Sequence, residues 1–454
     1  MITNRWTAVG RRGFLATAAG AAVLLAVTAC GTGGGGSGSG NGGTSGTLTV
    51  WFPGNSAPEI ELVTKKLVPE FESANRTKVQ VTFVDWAQMS PKLNAGFAGN
   101  NAPDVFGHGP AVAAGFAAAK RIEPLDARIA ALPEADRTDL APYLAGGQVA
   151  GGQYLIPLGG NGVLVAYRKD LLAKAGVAEP ATWAEAAEAA RKLTVREGGA
   201  IQQAGLMLQS AKIQRVQSFQ ALIGSEGGGL LSADGGEVTW NSPEGVRALE
   251  YFAGLYNGDG KVSDQLGLDF ANQPAGQNPL ATGKAAMVTA TNGQMLQMVK
   301  AVPDLASKVG VLPPLKAVDA RTFGGATTGL FVNADSAKKD LAWKFVEFMV
   351  SEGVNERYAE AVGGLPVRAS AAQGAYVTGQ PLLKPFIDAA PAYVGSPNVP
   401  AWVQVRDVLD KHLEKAGAGE ARAEPARADA AARARARGAA PGWRGSARTG
   451  PGVG

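Results

Sequence analysis

Between Gly151 and Leu193 the chain reads GGQYLIPLGGNGVLVAYRKDLLAKAGVAEPATWAEAAEAARKL, and this stretch restricts the fold more than any other. A short apolar run ends at Pro157, a polar bend of Gly159, Gly160, Asn161 and Gly162 follows, and a second apolar run covers Val163 to Tyr167 before two helical patterns. Glycine reaches backbone angles that strain other residues, so a cluster of it between apolar strands signals a turn or a hinge. Two outcomes fit that signal: a plain hairpin inside one domain, or a crossing between two.

The flanking sequence favours a repeated strand and helix cadence. Thr47 to Phe52 alternates like a strand, and Ile60, Val63, Leu67 and Phe71 recur at helical spacing after it. Lys78 to Val84 alternates again, and Asp85 with Gln88 forms a capping box for a helix to Phe97. Pro103 to Phe106 predicts a short strand entering Gly107-His108-Gly109-Pro110, with a helix over Ala111 to Ala119. Beyond the glycines, Arg168 to Ala175 predicts a helix closed by Gly176, and Thr182 with Glu185 caps another to Leu193. Ser242-Pro243 opens a helix to Tyr256, Ala285 to Thr289 predicts a strand, and Met295 to Val302 a helix. Val309 to Leu312 and Thr328 to Val332 read as strands, Ser336 as the cap of a helix to Val350, and 381–389 and 399–413 as the last helices. Strands alternating with helices make an α/β protein, and residues 47–415 are long enough for two such lobes.

The two ends read differently. Arg11-Arg12-Gly13-Phe14-Leu15 precedes an apolar stretch closing in Val27-Thr28-Ala29-Cys30, the pattern of an export signal over 1–29. That run is too short for a comfortable membrane span. Cys30, the one cysteine in the chain, stands where a lipoprotein signal carries its lipidated residue, and the paired arginines resemble a twin-arginine signal. Cleavage there would leave an exported protein lipid-anchored to the outer face of the cytoplasmic membrane, on a glycine-rich tether over 30–46. Residues 416–454 are mostly Ala, Arg, Gly and Pro and are expected to form a disordered tail. The tail carries a net charge of +4 and the signal +3, which leaves −3 for 30–415. The basic balance of the chain therefore belongs to its ends and argues against a nucleic-acid partner.

An enzyme would show a constellation of reactive groups. The two histidines, His108 and His412, are far apart, and neither a zinc-binding histidine motif, a phosphate-cradling loop nor a nucleophile elbow occurs. Asp85, Asp104 and Glu226 have no distinctive setting for paired-carboxylate hydrolysis. The expectation is a binding protein, not an enzyme, with no metal and no cofactor.

Several phrases point to a family when taken in order: Pro103-Asp104-Val105, Tyr154 to Pro157, VAYRKDLLAKAGV with Trp183 after it, GKAAM at 283–287, the Gly324 to Leu330 segment, the Ala342 to Met349 helix, and Gly364-Leu365-Pro366-Val367. From Thr47 to about Leu413 the chain resembles bacterial extracellular solute-binding proteins of ABC importers, specifically the sugar-binding family that includes the maltose-binding protein. The resemblance implies a periplasmic-binding-protein-like fold, in which a ligand cleft lies between two lobes that close by hinge bending. It assigns 47–160 plus 309–358 to lobe one and 161–308 plus 359–415 to lobe two. It also implies a monomer that delivers its ligand to a membrane permease.

Carried over position by position, the resemblance brings Gly54, Asn55 and Ser56, after the first strand, to the ligand, and His108 in the loop after Phe106. Asn161 falls where the maltose-binding protein carries a glutamate to its sugar, so an amide replaces a charge. Asn292 and Gln294 flank a position where relatives often have a stacking tryptophan, and no aromatic stands there. Trp402 matches a C-terminal ring that stacks on sugar, Phe323 is expected near the cleft, and Trp86 faces either the cleft or its own lobe. Gly159, Gly160 and Gly162 would give hinge freedom. Rings with Asn and Gln suit the C–H face and hydroxyl belt of a carbohydrate, the expected ligand. A phosphate ester, polyamine or peptide ligand, or an exported scaffold without transport, are the alternatives.

Overall fold

The computed structural model describes residues 46–420 apart from Asn55, Ala233, Asp234 and Ala401. The expectations for the signal, Cys30, the tether to Ser45 and the tail after Glu420 lie outside the described residues.

A mixed sheet runs through two lobes. Its strand order is Val79–Val84, Leu48–Pro53, Val105–His108, Thr322–Val332, Ile156–Arg168, Ala285–Thr291, Ala200–Met207 and Val195–Glu197. The first three strands are parallel, as β-α-β connections require, and the Thr322–Val332 strand joins them antiparallel. Leu48, Val50, Phe52, Phe71, Val105, Leu330 and Phe345 build the core of the first lobe. Val165, Trp183, Phe219, Trp240, Phe252 and Leu409 build one core of the second, and Leu164, Val288, Met295 and Phe386 another.

The stretch from Ile156 to Arg168 is one continuous strand of 13 residues. The bend expected at Gly159 to Gly162 is therefore not a turn. Ile156 and Leu158 pack in the first lobe, and Leu164 to Tyr167 in the second. The extended glycines pair antiparallel with Thr322–Val332, Gly162 opposite Gly324 and Asn161 opposite Gly325. These two strands form a ribbon joining the lobes. A third crossing passes at Gly364-Leu365, where Gly160 and Leu365 exchange backbone hydrogen bonds of 2.8 Å.

Two lobe boundaries differ from the sequence reading: the last crossing lies at Gly364-Leu365 rather than after 358, with Val367 still in the first-lobe core, and the other is the one expected near 309. Val309–Val311 pairs with Ala166 to Arg168, and Val309, Leu312 and Leu315 pack in cores of the second lobe. The chain thus returns to the first lobe inside Thr322–Val332, not at 309, because an antiparallel partner for the far half of the first crossing strand was still needed. Two smaller shifts concern helix ends. Ser336 is not the cap: its hydroxyl donates to Asp104 Oδ1 at 2.7 Å, and the helix begins at Lys339. The last helix runs Trp402–Gly417, past the expected start of the tail. The capping box at Thr182 forms with both of its bonds, and Gly176 closes its helix at a φ of 65°.

Candidate functional site

Alternation along a strand sends neighbouring residues to opposite faces. Gly160 and Gly162 therefore share one face of the ribbon, and Gly159 and Asn161 the other. On the first face two tyrosines press against the backbone. A Cβ on Gly160 would stand 2.6 Å from Tyr143 Cε1, and one on Gly162 would overlap the Tyr393 hydroxyl and lie 2.7 Å from its Cε1. These glycines are required for close approach.

The second face opens on a cleft of about 250 Å³. Its walls are Pro53, Glu59, Trp86 and Tyr358 of the first lobe, Thr291 to Gly293 of the second, and Gly159 to Asn161, Thr327, Thr328, Gly363 and Gly364 at the crossings. Asn161 Oδ1 is buried there with no hydrogen-bond partner, an arrangement that calls for a donor from outside the protein. The cleft thus gathers Trp86, Asn161, Asn292, Gly159 and Gly160 from the sequence-based set.

Trp86 starts the helix Trp86–Ala98 and is 47% exposed. His108 supports it edge-on, the ring centroids 5.8 Å apart. His108 is not itself among the lining residues. Its Nδ1 accepts from the Gly109 N–H at 2.8 Å, so its proton resides on Nε2, which is 2.9 Å from Ser90 Oγ. Burial pushes its pKa down to about 4, so the ring behind Trp86 is uncharged at neutral pH. Gly54 holds a φ of 116°, which only glycine adopts without strain, and carries the chain past Trp86 and Glu59. Ser56 stands at the N-cap of Ala57–Leu62, outside the lining, and Asn55 lies outside the described residues.

The remaining candidates have other occupations. Asn292 is 2% exposed, and its amide spans two crossings: Oδ1 accepts from the Gly162 N–H at 3.1 Å and Nδ2 donates to the Gly363 carbonyl at 3.0 Å. Asn292→Ala is expected to cost about 1–3 kcal/mol, since two buried backbone groups lose their partners. Urea unfolding of the unliganded protein measures this, and an unchanged midpoint would count against the clamp. Gln294 closes a capping box on Thr291 and accepts from Gln209 at 2.8 Å, so its oxygen is committed. Phe323 is half-buried on the second crossing strand opposite Val394, away from the lining. Trp402 is 3% exposed in the core of the second lobe and is not brought to the cleft.

Sequence reasoning missed Glu59 and Tyr358. Glu59 is 6% exposed, and its Oε1 accepts from the Tyr358 hydroxyl at 2.5 Å. Burial pushes its carboxyl above the usual carboxylate range, although the tyrosine bond opposes the shift. The helical spacing of Ile60, Val63 and Leu67 left Glu59 reading as a solvated residue, and nothing local contradicts that. Thr291 was recoverable, because Thr-x-x-Gln at a strand end is a capping box.

Elsewhere a larger apolar cleft of about 940 Å³ is lined by Ala114, Ala117, Val149 and Tyr154 together with Ile223, Leu230, Val394 and Val399. Asn398 bridges it, accepting from Ala114 N–H at 3.1 Å and donating to the Gln148 carbonyl at 2.9 Å. Its walls are mostly apolar; the exception is Gln220, whose Nε2 donates to the Gly395 carbonyl while its Oε1 is buried without a hydrogen-bond partner. No cluster of metal-ligating side chains occurs among the described residues, and no described helix is long and apolar enough to cross a membrane.

The model for bacterial extracellular solute-binding proteins matches residues 56–356. The diacetylchitobiose binding protein DasA of Streptomyces coelicolor is 24% identical over 408 residues, which is 87% of this chain and 91% of that protein. Among solved structures, the GacH receptor of Streptomyces glaucescens, determined unliganded and with acarbose, is 26% identical with a TM-score of 0.69. The match covers 87% of this chain and 98% of that one. The cyclic alpha-maltosyl-1,6-maltose binding protein of Arthrobacter globiformis is 22% identical with a TM-score of 0.73, over 87% of this chain and all of that one (100%).

Proposed function

The chain belongs to the bacterial extracellular solute-binding proteins, and from that membership we propose that it captures a sugar or sugar-like solute in the cleft beside Asn161 for an ABC importer. The carrying observation is that one cleft is walled by both Asn161, whose Oδ1 is buried without a partner, and the half-exposed Trp86. A carboxamide oxygen takes a hydroxyl proton, and an indole face takes a C–H face, so the pair suits a pyranose. The ligands of the relatives, diacetylchitobiose, acarbose and a cyclic maltosyl-maltose, support the same class.

Capture would proceed by lobe closure about the crossing strands, excluding water from the solute, and a permease would read the closed form. Export and lipid anchoring at Cys30 complete this proposal, supported by Arg11-Arg12 and the Val27 to Cys30 sequence. A monomer suffices for each step.

A thermal-shift series of the full chain against monosaccharides, disaccharides, polyols, amines and phosphate esters tests the reading. A sugar at 100 times its Kd stabilises the folded state by about 2.7 kcal/mol, a shift of a few degrees. Asn161→Ala is expected to weaken that sugar about tenfold by removing the acceptor. A response to phosphate esters alone would refute the sugar assignment.

A further inference from the structure

Two acceptor oxygens at the cleft walls are left free. Glu59 Oε1 is taken by Tyr358, while Oε2 has no hydrogen-bond partner among the described residues. Asn161 Oδ1 is likewise an acceptor without a donor. Two donors nearby are committed: the Thr327 hydroxyl donates to the Gly159 carbonyl at 3.1 Å, and the Asn292 amide to Gly363 at 3.0 Å. Among the described residues lining the cleft there is no lysine or arginine, so Glu59 meets no countercharge from the protein.

Glu59 Oε2 and Trp86 Nε1 border one point. A Cβ built on Gly54 would lie 3.6 Å from the first and 3.5 Å from the second. A carboxylate with a free oxygen is a cation site by ion pairing, and an exposed indole beside it offers a ring that a cation can also contact. His108, the other titratable group against Trp86, is neutral and does not oppose a cation. A buried carboxylate held by one tyrosine hydroxyl still bears a desolvation cost, which raises its pKa, and a ligand cation offsets that cost more fully than hydroxyl donors alone.

We propose that the solute is an amine-bearing sugar whose ammonium sits between the Glu59 carboxylate and the ring of Trp86; this rests on the sugar reading above. Asn161 takes a hydroxyl of the same ligand. One carboxylate with one neutral acceptor matches a single ammonium on a polyhydroxyl body. An extended polyamine would bring several charges to a cleft that answers one.

The test compares three forms of each sugar on the full chain by titration calorimetry at neutral pH: glucosamine, glucose and N-acetylglucosamine, then the galactose and mannose sets. The N-acetyl form keeps the nitrogen and removes its charge. At least one amine is expected to bind about tenfold or more tightly than both neutral forms. Glu59→Gln should bring that ratio below about twofold, since the ion pair is lost while the hydrogen bond remains. If Glu59→Gln fails to fold, the N-acetyl comparison in the unaltered chain decides, together with Trp86→Leu at an exposed position, which should lower the ratio by removing the ring face. Equal or better binding of the neutral sugars overturns the amine assignment and leaves the sugar reading standing. Binding of spermidine with no sugar, or of none of these solutes, overturns both.

Discussion

Trp402→Ala is expected to lower the stability of the unliganded protein by about 3–5 kcal/mol, the range for truncating a buried ring to alanine. Trp402 opens the helix Trp402–Gly417 and is 3% exposed. It packs in the same core as Val405, Leu409 and Leu413, with Val399 against it. Removing the ring leaves a cavity beneath the first turn of a helix that also covers Lys212–Ser225 and Pro243–Gly254. Urea unfolding of the unliganded protein should show a lower midpoint at an unchanged slope. Trp402→Phe should lose less, because a ring still fills part of the volume. A loss below about 1 kcal/mol, accompanied by a large loss of sugar affinity, would instead return Trp402 to the ligand. Position alone gave the opposite expectation, and burial decides between them.

That reversal shows what kind of information the sequence carried. Capping boxes, helix-closing glycines and strand alternation are local, and Thr182, Gly176 and Leu48–Pro53 formed as read. The family phrases are collinear, so they survived even where single residues had changed. The site itself depends on which faces meet, which no local pattern records. Glu59 reads as a solvated residue until Tyr358, about 300 residues along the chain, covers it. Asn292 and Gln294 read as ligand amides, yet their atoms tie Gly162, Gly363, Thr291 and Gln209 together. The bend read at 159–162 is a stretch of continuous strand for the same reason. A glycine cluster signals freedom only when nothing packs on it, and two tyrosines do.

Gly162→Ala is the second large expected effect and bears directly on the crossing. The Tyr393 ring is wedged between Gly162 and Gly324, which pair across the ribbon, and a Cβ on Gly324 would lie 2.5 Å from Tyr393 Cδ1. The ring has little room to withdraw, since its hydroxyl donates to the Phe386 carbonyl at 2.5 Å. Adding a methyl against it forces either the ring or the strand to move, at a cost of about 2–3 kcal/mol. The strand carries the Gly162 N–H to Asn292, so movement there also strains the clamp to Gly363. Tyr393→Leu should relieve most of the damage, and a double-mutant cycle should show coupling of about 1–3 kcal/mol between the sites. The same pair separates steric need from hinge freedom. If Gly162 is kept for close approach, Gly162→Ala with Tyr393→Leu regains both stability and the sugar affinity of Tyr393→Leu alone. If it is kept for bending, stability returns and affinity does not, because alanine still narrows the backbone angles available as the lobes close.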